Sequence, residues 1–144
     1  MKKILSIVGT SNTGKTTLIT TLIPLLKEQG YSVCVIKHSE SLLTHTDFDQ
    51  QGKDTYSFSD AGADEVWLTS PQFTYYSCTQ EKSLSDMIQR ASADIILVEG
   101  FKQSPYRKIL LKKPDEFIHV EGDVLLTIEG SYDIHDIVSL IIHS

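Results

Sequence analysis

The chain has 144 residues, 40% of them hydrophobic and 22% charged, with a formal net charge of −6 and two cysteines. That length fits a single domain, 1–144, able to bury a real core. The acidic balance argues against a nucleic-acid backbone as partner, and two cysteines build neither a disulfide framework nor a metal-ligand spacing.

Two lysines open the chain, but the apolar run after them, residues 4–8, is only five residues long. It reads as a first strand, too short for a signal peptide or a membrane span, and a cytoplasmic location is expected. The strand leads into Gly9, Thr10, Ser11, Asn12, Thr13, Gly14, Lys15, Thr16 and Thr17. This stretch fits the phosphate-binding pattern G-x-x-x-x-G-K-[ST] between a strand and a helix. At average glycine usage, a chance match to its four fixed positions is on the order of one in a few hundred. Gly9 and Gly14 permit backbone conformations closed to other residues. The N–H groups between them can then face phosphate oxygens at the positive end of the next helix. In this pattern Lys15 reaches the β- and γ-phosphates and the Thr16 hydroxyl binds Mg²⁺.

Leu18, Leu22, Leu25 and Leu26 form the apolar stripe of a helix over residues 14–29, widened by Ile19 and Ile23 and stopped at Gly30. Pro24 removes one backbone bond, and a kink is expected there, not a break. Residues 31–36 read as a second strand, with Cys34 as a buried structural thiol and Lys37 and His38 at its end, near the first strand. Residues 44–51 lack periodicity and read as a functional loop. Its Asp47 and Asp49 can complete a magnesium shell. A separate transition-metal site from His38, His45 and Asp47 is chemically reasonable, but a solvated acidic loop is the simpler reading.

Residues 53–60 suggest a short helix ending at Ala61-Gly62-Ala63, and residues 65–69 and 73–78 two strands about Ser70-Pro71. Ser83 and Asp86 resemble a capping box for a helix to about residue 91. Residues 95–98 are wholly apolar, as in a strand buried on both faces. They carry Glu99 to the strand end, followed by Gly100. An acid there can hold the Mg²⁺ shell or orient a water at the γ-phosphate, the alternative being a strand that ends at a surface acid. Strands over 108–112 and 124–128 and a helix built on Ile134, Ile137, Val138 and Ile141 complete the chain. Lys112-Lys113-Pro114-Asp115 keeps two residues of a guanine-reading N-K-x-D motif, with Asp115 as the base acceptor, but suits a solvated turn equally well.

Strands alternating with helices predict an α/β, three-layer P-loop NTPase-like fold: a mostly parallel sheet, helices on both faces, and an extra β-hairpin. Ligands in such sheets sit beyond the carboxyl ends of the strands, where the loop after Val8 falls.

The series Gly9 to Thr17, Ile36-Lys37-His38, Asp49 with Gly52-Lys53-Asp54-Thr55-Tyr56, Ala61-Gly62-Ala63 and Leu97-Val98-Glu99-Gly100-Phe101-Lys102 resembles the molybdopterin-guanine dinucleotide biosynthesis protein B family. The resemblance implies a small GTP-binding adapter with slow hydrolysis, assisting the partner enzyme that attaches GMP to molybdopterin. It implies GTP and Mg²⁺ as cofactors, with Lys15 and Thr16 at the triphosphate and metal. Asp49 and Glu99 are implied as metal and catalytic groups near the γ-phosphate. Gly52, Lys53 and Asp54, with Lys37 and His38, are implied to face the pterin or a partner, and a homodimer is implied as well. Gln51 stands where the family often has proline, and Phe58-Ser59-Asp60 where it often has basic residues. A stand-alone small-molecule kinase is the competing reading. It needs an arginine-bearing lid, and Arg90 and Arg107, the chain's two arginines, sit in no obvious one.

Overall fold

The computed structural model describes residues 2–144. In chain order its elements are β1 (Lys3–Gly9), α1 (Lys15–Glu28), β2 (Val33–Lys37), a 3₁₀ turn (His45–Asp47), α2 (Asp54–Asp60), β3 (Glu65–Thr69) and β4 (Thr74–Cys78). They continue with α3 (Leu84–Arg90), β5 (Ile95–Glu99), β6 (Lys108–Leu111), β7 (Val124–Ile128) and α4 (Ile134–His143). The chain divides into two compact units, one of Met1–His38 and Met87–Ser144, the other of Ser39–Asp86.

The larger unit is a five-stranded sheet in the order β2-β5-β1-β6-β7, every pair parallel. Parallel partners share a face, and successive residues alternate between faces. Leu5, Ile7, Leu97, Ile109 and Leu111 therefore point one way. There they join Leu18, Leu22 and Leu26 of α1 and Ile137 and Ile141 of α4 in one core cluster. Val8, Ile96, Val98 and Leu110 point the other way and are also buried, so the central strands are apolar throughout. The paired lysines at the start of the chain mark the two faces. Lys3 Nζ donates to the carbonyls of Ile141 and Ile142 at the end of α4, whereas Lys2 Nζ donates to those of Ile88 and Gln89 at the end of α3. Each ammonium thus satisfies carbonyls left over at the negative end of a helix.

The strand nearest β1 on that side is β5, not β2. Because β5 is apolar on both faces, it takes the interior place and leaves β2 as an edge strand. Val35 is exposed and Cys34 only half-buried, with its thiol pushed up by burial. Helix α1 runs through Pro24 without a break. No helix among the described residues is long and apolar enough to cross a membrane.

In the smaller unit, β3 and β4 form a two-stranded antiparallel hairpin on the expected residues, with Trp67 opposite Tyr76. Their rings lie 4.1 Å apart, and the Tyr76 hydroxyl donates to Glu65 at 2.7 Å, which raises the phenol pKa.

Candidate functional site

Between β1 and α1 the backbone takes up the left-handed conformation twice, at Asn12 (φ 64°) and Gly14 (φ 90°). Such alternation turns successive N–H groups to one side of the loop. The first turn of α1 carries no acidic residue, and no side chain caps its amino end. Its positive end therefore remains available to an anion. Gly9 has a different role from Gly14. It lies in β1 without a positive φ, but a Cβ there would fall inside contact distance of the Leu111 carbonyl oxygen and 2.9 Å from Thr13 Oγ1. The first glycine supplies space; the second supplies conformation.

Lys15 Nζ lies over this loop, donating to the carbonyls of Gly9 at 2.8 Å and Thr10 at 3.1 Å, and Thr13 Oγ1 closes the turn on Thr10 O at 2.7 Å. Ser11, Asn12, Thr16 and Thr17 are exposed. A cradle that excludes a Cβ, an uncapped helix start, an ammonium and an exposed hydroxyl suit a Mg²⁺-bound polyphosphate. Lys15 would hold the phosphates and Thr16 the metal.

Glu99 ends β5 on the sheet face that carries Ile7, where Lys37 from β2 is its register partner. Lys37 Nζ is 3.4 Å from its carboxylate. Gly100 (φ 94°) then turns the chain and donates to Ile7 O at 3.1 Å. Phe101 follows with φ 55°, a conformation that bulky residues rarely adopt. Its ring centroid is 5.2 Å from that of His38. The two expected motifs, Lys37-His38 and Glu99-Gly100-Phe101, thus meet at adjacent strand ends.

Two residues of this unit escaped the sequence reading. Lys108, read there as the start of a strand, is fully buried, and its ammonium donates to Ser104 O, Ser104 Oγ and Tyr106 O. Burial lowers its pKa. It fixes the chain that follows Phe101, since Ser104 N donates to Phe101 O at 2.9 Å. Glu116 is the second. The Thr10 hydroxyl donates to its carboxylate oxygens at 2.9 and 3.3 Å. Its neighbour Asp115, considered as the base acceptor, is exposed. No local motif marks Glu116, which lies in the turn beyond β6 and meets Thr10 only because β6 pairs with β1.

In the smaller unit, Asp49 Oδ1 accepts from the Gln50 N–H at 2.9 Å, while Oδ2 is buried without a well-formed hydrogen bond. The nearby Thr55 side chain, then Gln50, Lys53 and His45, hold this carboxyl below its usual range against some desolvation. Gly52 is left-handed (φ 95°), Lys53 occupies the cap position of α2 and Asp54 its first turn. His45 lies 3.6 Å from Asp60 and packs edge-on to Tyr56. Of the residues weighed for a transition-metal site, His38 belongs to the larger unit and His45 and Asp47 to the smaller. Among the described residues no three His, Cys, Asp or Glu side chains gather to hold an ion. Asp47 instead caps its own 3₁₀ turn, accepting from Thr44 N at 2.8 Å.

A phosphate loop at the carboxyl edge of a parallel sheet, with an acid ending the neighbouring strand, defines a P-loop α/β protein. The profile of molybdopterin guanine dinucleotide synthesis protein B matches residues 4–128, and the chain belongs to that family. The molybdopterin-guanine dinucleotide biosynthesis adapter protein of Escherichia coli is 34% identical over 97% of this chain and 90% of its own. The protein of the same name from Haemophilus influenzae is 37% identical over 78% of this chain, and the match spans 64% of its length. Among solved structures, a molybdopterin-guanine biosynthesis protein B superposes with a TM-score of 0.75 at 28% identity, over 97% of both chains. Bacillus subtilis MobB, at 23% identity and a TM-score of 0.70 over 96% of this chain and 98% of its own, shares the fold.

Proposed function

We propose that the chain is a GTP-binding adapter in molybdopterin guanine dinucleotide biosynthesis. In this reading it works in the cytoplasm as one domain, with the enzyme that joins GMP to molybdopterin. The phosphate loop in a family whose relatives carry the adapter name is the observation that carries the proposal. Lys15 and Thr16 hold the triphosphate and Mg²⁺, with Ser11, Asn12 and the other loop residues supplying N–H groups. Asp49 and Glu99 serve as the acids of the metal shell. Lys37, the ion-pair partner of Glu99, His38, Gly52, Lys53 and Asp54 face the pterin or the partner enzyme. Hydrolysis is slow in the absence of that enzyme. The chain acts as a homodimer, a reading supported by Trp67, Leu68 and Phe73, which the hairpin leaves exposed.

Calorimetry with Mg²⁺ and either GTP or ATP tests the reading. GTP binding that falls by about 100-fold or more in Lys15→Ala is expected, as for loss of a charged phosphate ligand. Tight ATP binding with none for GTP would overturn the guanine assignment. Rapid transfer of the γ-phosphate to a small acceptor, with no partner protein present, would overturn the adapter role.

A further inference from the structure

We propose that Glu116 is the charge sensor of the phosphate loop. It ties the turn beyond β6 to Thr10, and a bound triphosphate breaks that tie. The inference rests on the nucleotide-binding reading above.

The turn is built to aim this one acid. Lys112 N donates to Ile128 O at 3.0 Å, anchoring the end of β6 to β7. Lys112 Nζ then donates to the Glu116 carbonyl at 3.0 Å and pairs with Glu129 at 2.8 Å. Glu116 N closes the turn on Lys113 O at 3.1 Å. The backbone of Glu116 is thus fixed from both sides. Its carboxylate reaches the hydroxyl of Thr10, the second residue of the phosphate loop.

Lys112 does not pair with that carboxylate. Lys112 engages Glu129 and the Glu116 carbonyl, and none of the ion pairs among the described residues includes the Glu116 side chain. The carboxylate therefore rests on a neutral hydroxyl, beside a cradle shaped for several negative charges. Such an arrangement is uphill once a triphosphate enters, because like charges brought to the same partly buried loop repel. Lys15 Nζ also donates to the Thr10 carbonyl, so a lysine drawn to phosphate loosens the same residue. The next side chain, Phe117, is 91% exposed. Release of Glu116 moves an aromatic ring on the surface, and charge in the loop becomes a change that a partner can read.

Hydrogen exchange on the full chain, with and without Mg²⁺-GTP, tests the proposal. Slower exchange at residues 10–17 reports nucleotide binding. The expected companion is faster exchange at residues 113–120, by about fivefold or more, as for local opening of a tethered turn. Glu116→Gln keeps the acceptor and removes the charge. It should abolish the acceleration and bind Mg²⁺-GTP several-fold, roughly tenfold, more tightly at low salt. Slower or unchanged exchange at 113–120, with 10–17 protected, would overturn the sensor and leave nucleotide binding intact. If neither GTP nor ATP protects residues 10–17, the nucleotide reading fails and the sensor falls with it.

Discussion

A single hydrogen atom decides the fit at Gly9. Replacing it by a methyl group sets Cβ against the Leu111 carbonyl and Thr13 Oγ1. The carbonyl belongs to β6, which pairs in register with β1 at this position, Gly9 opposite Leu111. Neither strand has slack to yield, since both are buried at the centre of the sheet. Gly9→Ala should therefore cost about 2–3 kcal/mol by overpacking, read as a lowered urea midpoint. It should also weaken nucleotide binding, because the shift is passed into the cradle at Thr10. Unchanged stability would mean that the strands separate at this point more easily than their pairing implies. The contrast with Gly14 explains why the motif was legible while the reason for its first glycine was not. Positive φ is a property of the local chain. Crowding by Leu111 depends on a strand a hundred residues away.

At the scale of elements, the start of β5 is fastened to the start of β2 by one serine and one aspartate. Ser32 N and Oγ each donate to Asp94 Oδ2 at 2.9 Å, and Asp94 N donates back to Ser32 Oγ at 2.8 Å. These bonds hold the Asp94 carboxyl below its ordinary value, the Ser32 backbone N–H contributing most. A carboxyl with a lowered folded pKa contributes stability that is complete above the unfolded value, about pH 4, and is lost as pH falls through the folded value. Ser32→Ala removes only the hydroxyl's share and keeps the backbone N–H, so it should destabilise the protein at neutral pH, and the gap between variant and parent should narrow, without closing, as the solution is acidified into that window. Urea titrations at neutral and acidic pH measure it; a gap independent of pH would mean that Asp94 is not the group involved. This staple also marks a limit of sequence reading. The apolar run of 95–98 identified a buried strand, and β3 and β4 were legible from the turn at Ser70-Pro71 between them. That β5 lies between β1 and β2 follows from pairing across more than sixty residues, which periodicity does not encode. The same holds for the site. Lys15, Thr16 and Glu99 stand in local motifs and could be picked out, whereas Glu116 acts through a bond to Thr10, far along the chain, and Lys108, whose bonds to Ser104 and Tyr106 are local, sits in no recognisable motif.

For the whole molecule, the open question of physics is how a chain with net charge −6 keeps an exposed aromatic hairpin in water. Strands β3 and β4 pair only with each other, and a two-stranded ribbon alone is marginal. Trp67 and Phe73 are 62% and 70% exposed, with Leu68 and Phe58 also largely uncovered. Trp67 lines, with Phe58, Ala61, Ala63 and Val66, a shallow apolar depression. A patch of this kind is costly in water and favours association, and a second copy supplies matching apolar residues at once. The shared negative charge opposes that step, so the balance must depend on salt. Light scattering should find a particle twice the 16.1 kDa chain mass, with dimer dissociation weakened as ionic strength rises from about 0.05 M to about 0.5 M and charge is screened. Trp67→Ser combined with Phe73→Ser should shift the equilibrium towards monomer without lowering the unfolding midpoint of the five-stranded sheet. Trp67, the chain's single tryptophan, gives an independent signal, its emission moving to shorter wavelength as concentration increases and water is excluded from the ring. A particle of monomer mass at every salt concentration, with constant emission, would show that the hairpin meets some other surface. Salt dependence of opposite sign would place charged groups of opposing sign, not the aromatic patch, at the contact between copies.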